Sequence, residues 1–207
     1  MYNSKPLLMF RHCDDNLNTF VLNLPQFCPL CGDDLESAAT FKVPLFKVPN
    51  PLSDGHQNPF RIVIKPTAGN FMDNYTTEKN LHIGVTDSKG DVFHFNKNGL
   101  NRSTSSPFQS PSLSPSSPST SEWNSCLAMM MCDQWGEERY KDNEYNCYTF
   151  VLSFLTELRL SNYLPTINSK EKFCEEFIYK NLIKCLNYIS IIKEIEKNNY
   201  FINKKLT

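Results

Sequence analysis

The stretch LHIGVTDSKGDVFHFN, residues 81–96, constrains the fold more than any other part of the chain. Two runs of β-prone residues flank the segment DSKGD, in which Gly and Asp supply the residues that tight turns favour. The pattern predicts an antiparallel hairpin. Alternation of apolar and polar residues in FKVPLFKV (41–48) and FRIVIKP (60–66) predicts further strands of the same sheet.

The second half of the chain shows helical spacing instead. One predicted helix runs from Asn146 to about Ser161, and one long or two shorter helices run from Ser169 to about Asn198. Together with the strands, these patterns predict an α+β fold in which a small antiparallel sheet packs against helices.

Four segments follow from these patterns. We predict an amino-terminal hairpin with a Cys-Pro-x-Cys knuckle over residues 1–40, the sheet part of the main domain over 41–101, and its helical part over 122–207. Residues 102–121 are mostly Ser, Pro and Thr, a composition that buries too little apolar surface to offset the entropy of ordering. We therefore predict a disordered insertion there.

Charge and composition exclude several classes of protein. The 207 residues include 21 basic and 22 acidic ones, so no general electrostatic field attracts nucleic acid. The start of the chain does not have the pattern of an export signal, and no apolar run approaches the roughly 20 residues that span a bilayer. The sequence predicts an intracellular protein, cytoplasmic or nuclear, without a transmembrane segment.

Cys147 lies at the start of the helix predicted from Asn146. Asn is a favoured N-cap, and the free N–H groups of a first helical turn stabilise a thiolate. Cys147 is therefore a candidate nucleophile. The alternative is a packed cysteine that only begins the apolar face of the helix.

Two histidines of the predicted hairpin bear on that choice. His82 opens the first strand and His94 lies on the second. Residues with this spacing approach each other across a tight hairpin, and a thiol nucleophile works with an imidazole that takes its proton. One histidine is then a candidate base and the other a group that orients or polarises it. Each histidine alone is more often a structural residue.

The order of these features resembles a known superfamily. A strand beginning His-aliphatic-Gly, a second strand ending in His, and a later Asn-Cys-x-x-Phe that opens a helix are similar to the circularly permuted papain-like thiol enzymes. Its branches include lecithin:retinol acyltransferase-like acyltransferases and desumoylating isopeptidase-like peptidases. The resemblance implies Cys147 as nucleophile, His82 as base and His94 as the second histidine of the acyltransferase branch.

A closer resemblance covers most of the chain. It rests on the motifs HC, PQFCPLCG, NPLSDGHQ, LHIGVTDSKGDVF and RYKDNEYNCYTFVLSFL, which are similar to those of the makorin-2 opposite-strand protein family. The Ser/Pro-rich insertion departs from that pattern. The expected function is a thiol-hydrolase or acyltransferase-like domain, active or degenerate, with an acyl or isopeptide substrate. The alternative is a non-enzymatic module of the same fold that binds a protein partner not identified by the sequence.

The amino-terminal motif FCPLCG places Cys28 and Cys31 at the spacing of a metal-binding turn. Cys13 and its neighbour His12 are the candidates for two further ligands of one structural zinc ion. Adjacent side chains on a strand point to opposite faces, which argues against His12. His56 as fourth ligand, a redox dithiol and simple buried cysteines remain alternatives.

Overall fold

A computed structural model describes residues 5–36, 41–72, 75–76, 78–105, 108–110, 119–131 and 133–204. The chain forms two compact units. Unit 1 contains residues 1–50 and 186–207, and unit 2 contains residues 51–185.

Unit 1 is built on a four-stranded antiparallel sheet. Its order is β10-β2-β1-β3, with the bounds β1 Leu8–Arg11, β2 Leu17–Val21, β3 Val43–Lys47 and β10 Phe201–Lys204. The last strand joins the first ones because Phe201 pairs with Phe20 and Lys204 with Leu17. Phe10, Val21, Cys28 and Leu35 form a buried cluster on this sheet.

Unit 2 contains a six-stranded sheet of order β4-β9-β5-β6-β7-β8. The strands are β4 Ser53–Asp54, β5 Ile62–Pro66, β6 Leu81–Thr86, β7 Val92–Asn96, β8 Gly99–Ser103 and β9 Gln109–Ser110. The predicted hairpin is confirmed as β6 and β7. Its turn is closed by Asp87, whose carboxylate accepts from the N–H groups of Lys89 and Asp91.

The helices follow the sheet strands along the chain. They are α1 Thr120–Met130, α2 Cys147–Glu157, α3 Lys170–Phe173 and α4 Lys180–Asn198, with a π-helical segment, Cys174–Tyr179, between the last two. In unit 2, the rings of Trp123 in α1 and Phe154 in α2 pack edge to face with centroids 4.8 Å apart. The Trp123 indole N–H donates to the carbonyl of Thr86, which fixes α1 on β6.

The α+β class predicted from the sequence is therefore confirmed, with two antiparallel sheets rather than one. Within the stretch predicted to be disordered, Phe108 is buried, and Gln109–Ser110 form β9. A single aromatic residue in a Ser/Pro-rich segment thus contributes to the core of unit 2. Residues 106–107 and 111–118 of that prediction lie outside the described residues. No helix in the described part of the chain combines the length and apolarity needed to span a membrane.

Candidate functional site

His82 and His94 form a buried pair in unit 2. Nε2 of His82 and Nδ1 of His94 are 2.9 Å apart, and the two rings lie nearly perpendicular with centroids 4.9 Å apart. The pair joins two neighbouring strands at the point where their backbone ladder has ended, since the last paired residues of β6 and β7 are Val85 and Phe93. The side chains therefore bridge a gap that backbone hydrogen bonds leave open.

Lys65 and Phe108 complete the surroundings of this pair. The Phe108 ring lies 5.8 Å from the His82 ring and 5.1 Å from the His94 ring, and the Lys65 ammonium lies 4.6 Å from the Phe108 centroid. Burial lowers the pKa of His82 to about 3, with smaller contributions from the charges of His94 and Lys65. Burial, and then Lys65, lower the pKa of His94 to about 4. Both imidazoles are consequently neutral at physiological pH.

Gly84 allows β7 to come this close to β6. A Cβ atom at this position would lie 2.7 Å from the Phe93 carbonyl oxygen and 3.1 Å from Cβ of His94. Only glycine fits such an approach, because no real Cβ tolerates a contact of that length with backbone. The Gly of the His-x-Gly motif thus positions the second histidine.

The main chain of β6 acts on the thiol of Cys147. The Thr86 N–H donates to the carbonyl of Arg61, which lies on the β5 side of β6. Successive N–H groups along a strand point to alternate sides. The N–H of Ile83, three residues before Thr86, therefore points toward β7. The β7 ladder does not extend to Ile83, and this N–H lowers the pKa of the Cys147 thiol. The sulfur therefore lies near the main chain of β6 at the residue that follows His82.

Helix α2 holds Cys147 at its first position. The Asn146 side chain accepts from the Tyr148 N–H, and the Asn146 N–H donates to the Thr149 hydroxyl, as the predicted N-cap requires. Burial raises the pKa of the Cys147 thiol, and the Ile83 and Tyr148 N–H groups and the charge of Lys170 oppose that rise. Desolvation outweighs the helix terminus here, so the resting group is a neutral thiol.

The three residues predicted as catalytic thus all belong to unit 2, where β6 and β7 carry the histidine pair and α2 begins at Cys147. Within the described residues, no hydrogen bond joins the Cys147 sulfur to either imidazole. A neutral thiol, a neutral imidazole pair and main-chain N–H donors are the groups used in acyl transfer by cysteine nucleophiles.

A second cluster lies in unit 1. The ligand atoms of His12, Cys13, Cys28 and Cys31 all lie within 4.8 Å of one another, so the cluster has the composition and spacing to hold a metal ion. The Cys28–Gly32 turn presents two of them. It is closed by the Gly32 N–H to the Cys28 carbonyl at 2.9 Å, and Gly32 adopts φ +80°.

The sequence argument against His12 does not apply in the structure. β1 ends at Arg11, so His12 and Cys13 lie beyond the strand, where side chains need not alternate between faces. Nδ1 of His12 lies 3.3 Å from the Cys31 sulfur. His56, the alternative fourth ligand, lies in unit 2, where its Nδ1 donates to the carbonyl of Gly90 at 2.8 Å.

Three residues at the unit 2 site were missed by the sequence reasoning. Lys65 had a signal, because a lysine in the middle of an apolar strand is unusual. Lys170 lies 5.0 Å over the Tyr148 ring and acts on the thiol through its charge, and the charge of Cys147 contributes to the raised pKa of Tyr140. Neither stands in a recognisable motif.

Comparison with known proteins covers almost the whole chain. The family model described as DUF4796 C-terminal matches residues 45–195, and the one described as DUF4796 N-terminal matches residues 5–35. The human protein called MKRN2 opposite strand protein is 27% identical over 203 residues, which cover 96% of this chain and 89% of that protein. No solved structure matches. The matched segments include both clusters described above, and the chain belongs to the DUF4796 family of makorin-2 opposite-strand-like proteins.

Proposed function

We propose that unit 2 is a permuted papain-like thiol domain that transfers or hydrolyses acyl groups, with Cys147 as nucleophile and His82 as general base. The observation that carries the proposal is the buried His82–His94 pair, whose nitrogens lie 2.9 Å apart beyond the end of the β6–β7 ladder. The N–H of Ile83, next to His82 in β6, also acts on the thiol of Cys147, which begins α2. A thiol nucleophile needs a base, and the pair supplies a neutral imidazole in the same unit.

The hydrogen bond between the histidines selects a tautomer for this role. With its proton on Nε2, His82 donates to Nδ1 of His94 and leaves its own Nδ1 to accept the thiol proton. His94 then orients the base. Neutral imidazoles suit this task, since a protonated His82 has no lone pair to offer.

The chemical step follows from these groups. The Cys147 sulfur gives its proton to His82 and forms a bond to the carbonyl carbon of an ester, thioester or isopeptide. Main-chain N–H groups at the start of α2 stabilise the oxyanion. Collapse of the intermediate breaks the bond to the leaving group, which takes the proton from His82. Water or a second acceptor then releases the acyl group from sulfur, losing its own proton to His82.

A non-enzymatic module is the second candidate, and one observation favours it. Burial raises the pKa of Cys147 and lowers that of His82, so both groups are held in their neutral forms without a hydrogen bond between them. A domain that had lost catalysis and kept the fold to bind a partner would retain this arrangement.

The test uses p-nitrophenyl acetate and the full chain. We expect p-nitrophenol release with an acetyl group on Cys147, located by peptide mass spectrometry, and loss of both signals in Cys147→Ala. Cys126→Ala is the matched control, because it removes another buried helical thiol and leaves the gap intact. Turnover that survives in Cys147→Ala excludes Cys147 as the nucleophile. An inert wild-type protein with a folded spectrum supports the module instead.

A further inference from the structure

Unit 1 contains a ligand set that the proposed thiol chemistry does not use. We propose that His12, Cys13, Cys28 and Cys31 bind one structural zinc ion in a tetrahedral Cys3His site. The ion is bound through Nδ1 of His12 and the three sulfurs.

The distances fit an ion of this size. Zinc bonds of about 2.0 Å to nitrogen and 2.3 Å to sulfur place tetrahedral ligand atoms roughly 3.5 to 3.8 Å apart. The four ligand atoms lie within 4.8 Å of one another, and Nδ1 of His12 lies 3.3 Å from the Cys31 sulfur. Shifts of a few tenths of an ångström to about one ångström bring all four into contact with one ion.

The backbone supports the convergence from two directions. The Cys28 N–H donates to the Asp33 carbonyl at 2.8 Å, and the Leu35 N–H donates to the Gln26 carbonyl at 2.9 Å. These two bonds fix the base of the turn that carries Cys28 and Cys31. The other two ligands come from the end of β1, where the chain leaves the sheet. A turn with two cysteines and a strand end with two more ligands form a closed four-ligand set.

The His12 side chain gives an independent indication. Its ring is buried and packs edge to face against Phe41 at 5.9 Å, and Nε2 has no hydrogen-bond partner in the described part of the chain. Burying an imidazole costs free energy unless its polar atoms are used. Coordination through Nδ1 leaves Nε2 as it is, so the indication rests on the orientation of the buried ring, which directs Nδ1 at the Cys31 sulfur 3.3 Å away.

The donor atoms select the metal. Three sulfurs and an imidazole are soft to intermediate ligands, which suit zinc, whereas magnesium and calcium require oxygen. A redox dithiol needs only two cysteines, and would leave Cys13 and His12 without a role. Cys13 and Cys31 are exposed and Cys28 and His12 are buried, so a metal bound there is reached by solvent from one side only.

The first measurement is the metal content of the full chain purified without added metal and without chelator. We expect one zinc per chain and cobalt substitution that yields the intense visible bands of a tetrahedral thiolate site. Protein without stoichiometric metal that also gives no such bands with cobalt overturns the proposal, as does stoichiometric iron or a Cys28–Cys31 disulfide under reducing purification.

Variants separate coordination from packing. His12→Phe fills the buried space without a ligand atom and should lose the tetrahedral cobalt bands, whereas His12→Cys should keep them with the shift typical of four sulfurs. Cys174→Ser is the matched control, since it removes a partly buried thiol outside the cluster, and should bind as wild type does. Cobalt spectra that are unchanged in both His12→Phe and Cys28→Ser contradict the assignment. The wild-type protein is measured first, so its cobalt spectrum still tests the proposal if a variant does not fold.

Discussion

The two thiol sites of this molecule treat sulfur in opposite ways. In unit 1, three cysteines and a histidine crowd together at a partly exposed turn, while in unit 2 the buried Cys147 begins α2 and two buried histidines pair across β6 and β7. Three sulfur atoms within 4.8 Å of one another can coordinate the same metal ion. An isolated buried sulfur is held neutral by desolvation and is useful only if a neighbouring base takes its proton. The setting, more than the residue type, decides the chemistry.

Removal of the metal from unit 1 should have the largest effect. Structural zinc supplies about 10 kcal/mol or more of apparent binding free energy in small zinc-dependent folds, and one of its four ligands here, Cys28, belongs to the buried cluster on the unit 1 sheet. We expect chelation to open residues 5–36 to limited proteolysis, with cleavage sites mapped by mass spectrometry. Cys147→Ala, which leaves the cluster untouched, should respond to chelator as wild type does. An identical digestion pattern with and without chelator contradicts the structural role.

The histidine pair should make the stability of unit 2 fall in acid. Unfolded histidines titrate near pH 6.5, whereas the folded pKa values are about 3 for His82 and about 4 for His94. Between pH 6.5 and 4 the unfolded chain binds protons that the folded chain does not, so stability declines as the pH falls through that range. Above pH 6.5 the pair contributes no pH dependence.

The loss should reach about 3 kcal/mol by pH 4 from His94 alone, read from urea midpoints at pH 7, 6, 5 and 4. His94→Asn should reduce the slope to the part that His82 contributes. Equal slopes in wild type and His94→Asn show that the pair is not buried in solution.

Gly84→Ala tests the close approach of β6 and β7. The new Cβ would meet the Phe93 carbonyl oxygen at 2.7 Å, so the strands must separate, at a cost of about 2 kcal/mol in unfolding free energy. Gly136→Ala is the control, because its Cβ meets only the flexible carboxylate end of Glu138. Thermal or urea unfolding compares the two. A Gly84→Ala protein as stable as Gly136→Ala indicates that the histidines are not brought together as described.

Two N-caps offer the smallest and best matched comparison. Asn146 caps α2 and Ser119 caps α1, each in a capping box. Alanine at either position should cost about 1 kcal/mol. Only Asn146→Ala should also change the rate at which Cys147 is alkylated, since only α2 carries the thiol at its first turn. Equal alkylation rates in the two variants indicate that the N-terminus of α2 does not affect the reactivity of the Cys147 thiol.

Local chemistry made much of unit 2 predictable. The turn residues of DSKGD and the β-prone runs beside them predicted β6 and β7, and Asn146 with the apolar spacing after it predicted the start of α2. The approach of His82 to His94 followed from hairpin geometry. The raised pKa of Cys147 could not be predicted, because the sequence indicates the helix terminus but not the depth at which the thiol is buried.

Contacts distant in sequence were not predictable. β10 pairs with β2 across most of the chain, and the residues that form it were predicted only as the end of the helical part. Phe108 gave no signal inside a Ser/Pro-rich segment, although it lies against both histidines. His12 was disfavoured because alternation was assumed to continue past Arg11, where the strand ends.

The most direct test of the account is the rate of Cys147 alkylation by iodoacetamide from pH 6 to pH 10, read by peptide mass spectrometry in wild type and His82→Ala. Cys126 and Cys185, whose pKa values burial raises to about 11, serve as internal controls in each sample. The account predicts that His82→Ala slows Cys147 labelling several-fold near pH 7 and much less above pH 9, where hydroxide removes the thiol proton without a base. Labelling of Cys147 that is the same in both proteins at every pH contradicts the pairing of thiol and imidazole on which the proposed function rests.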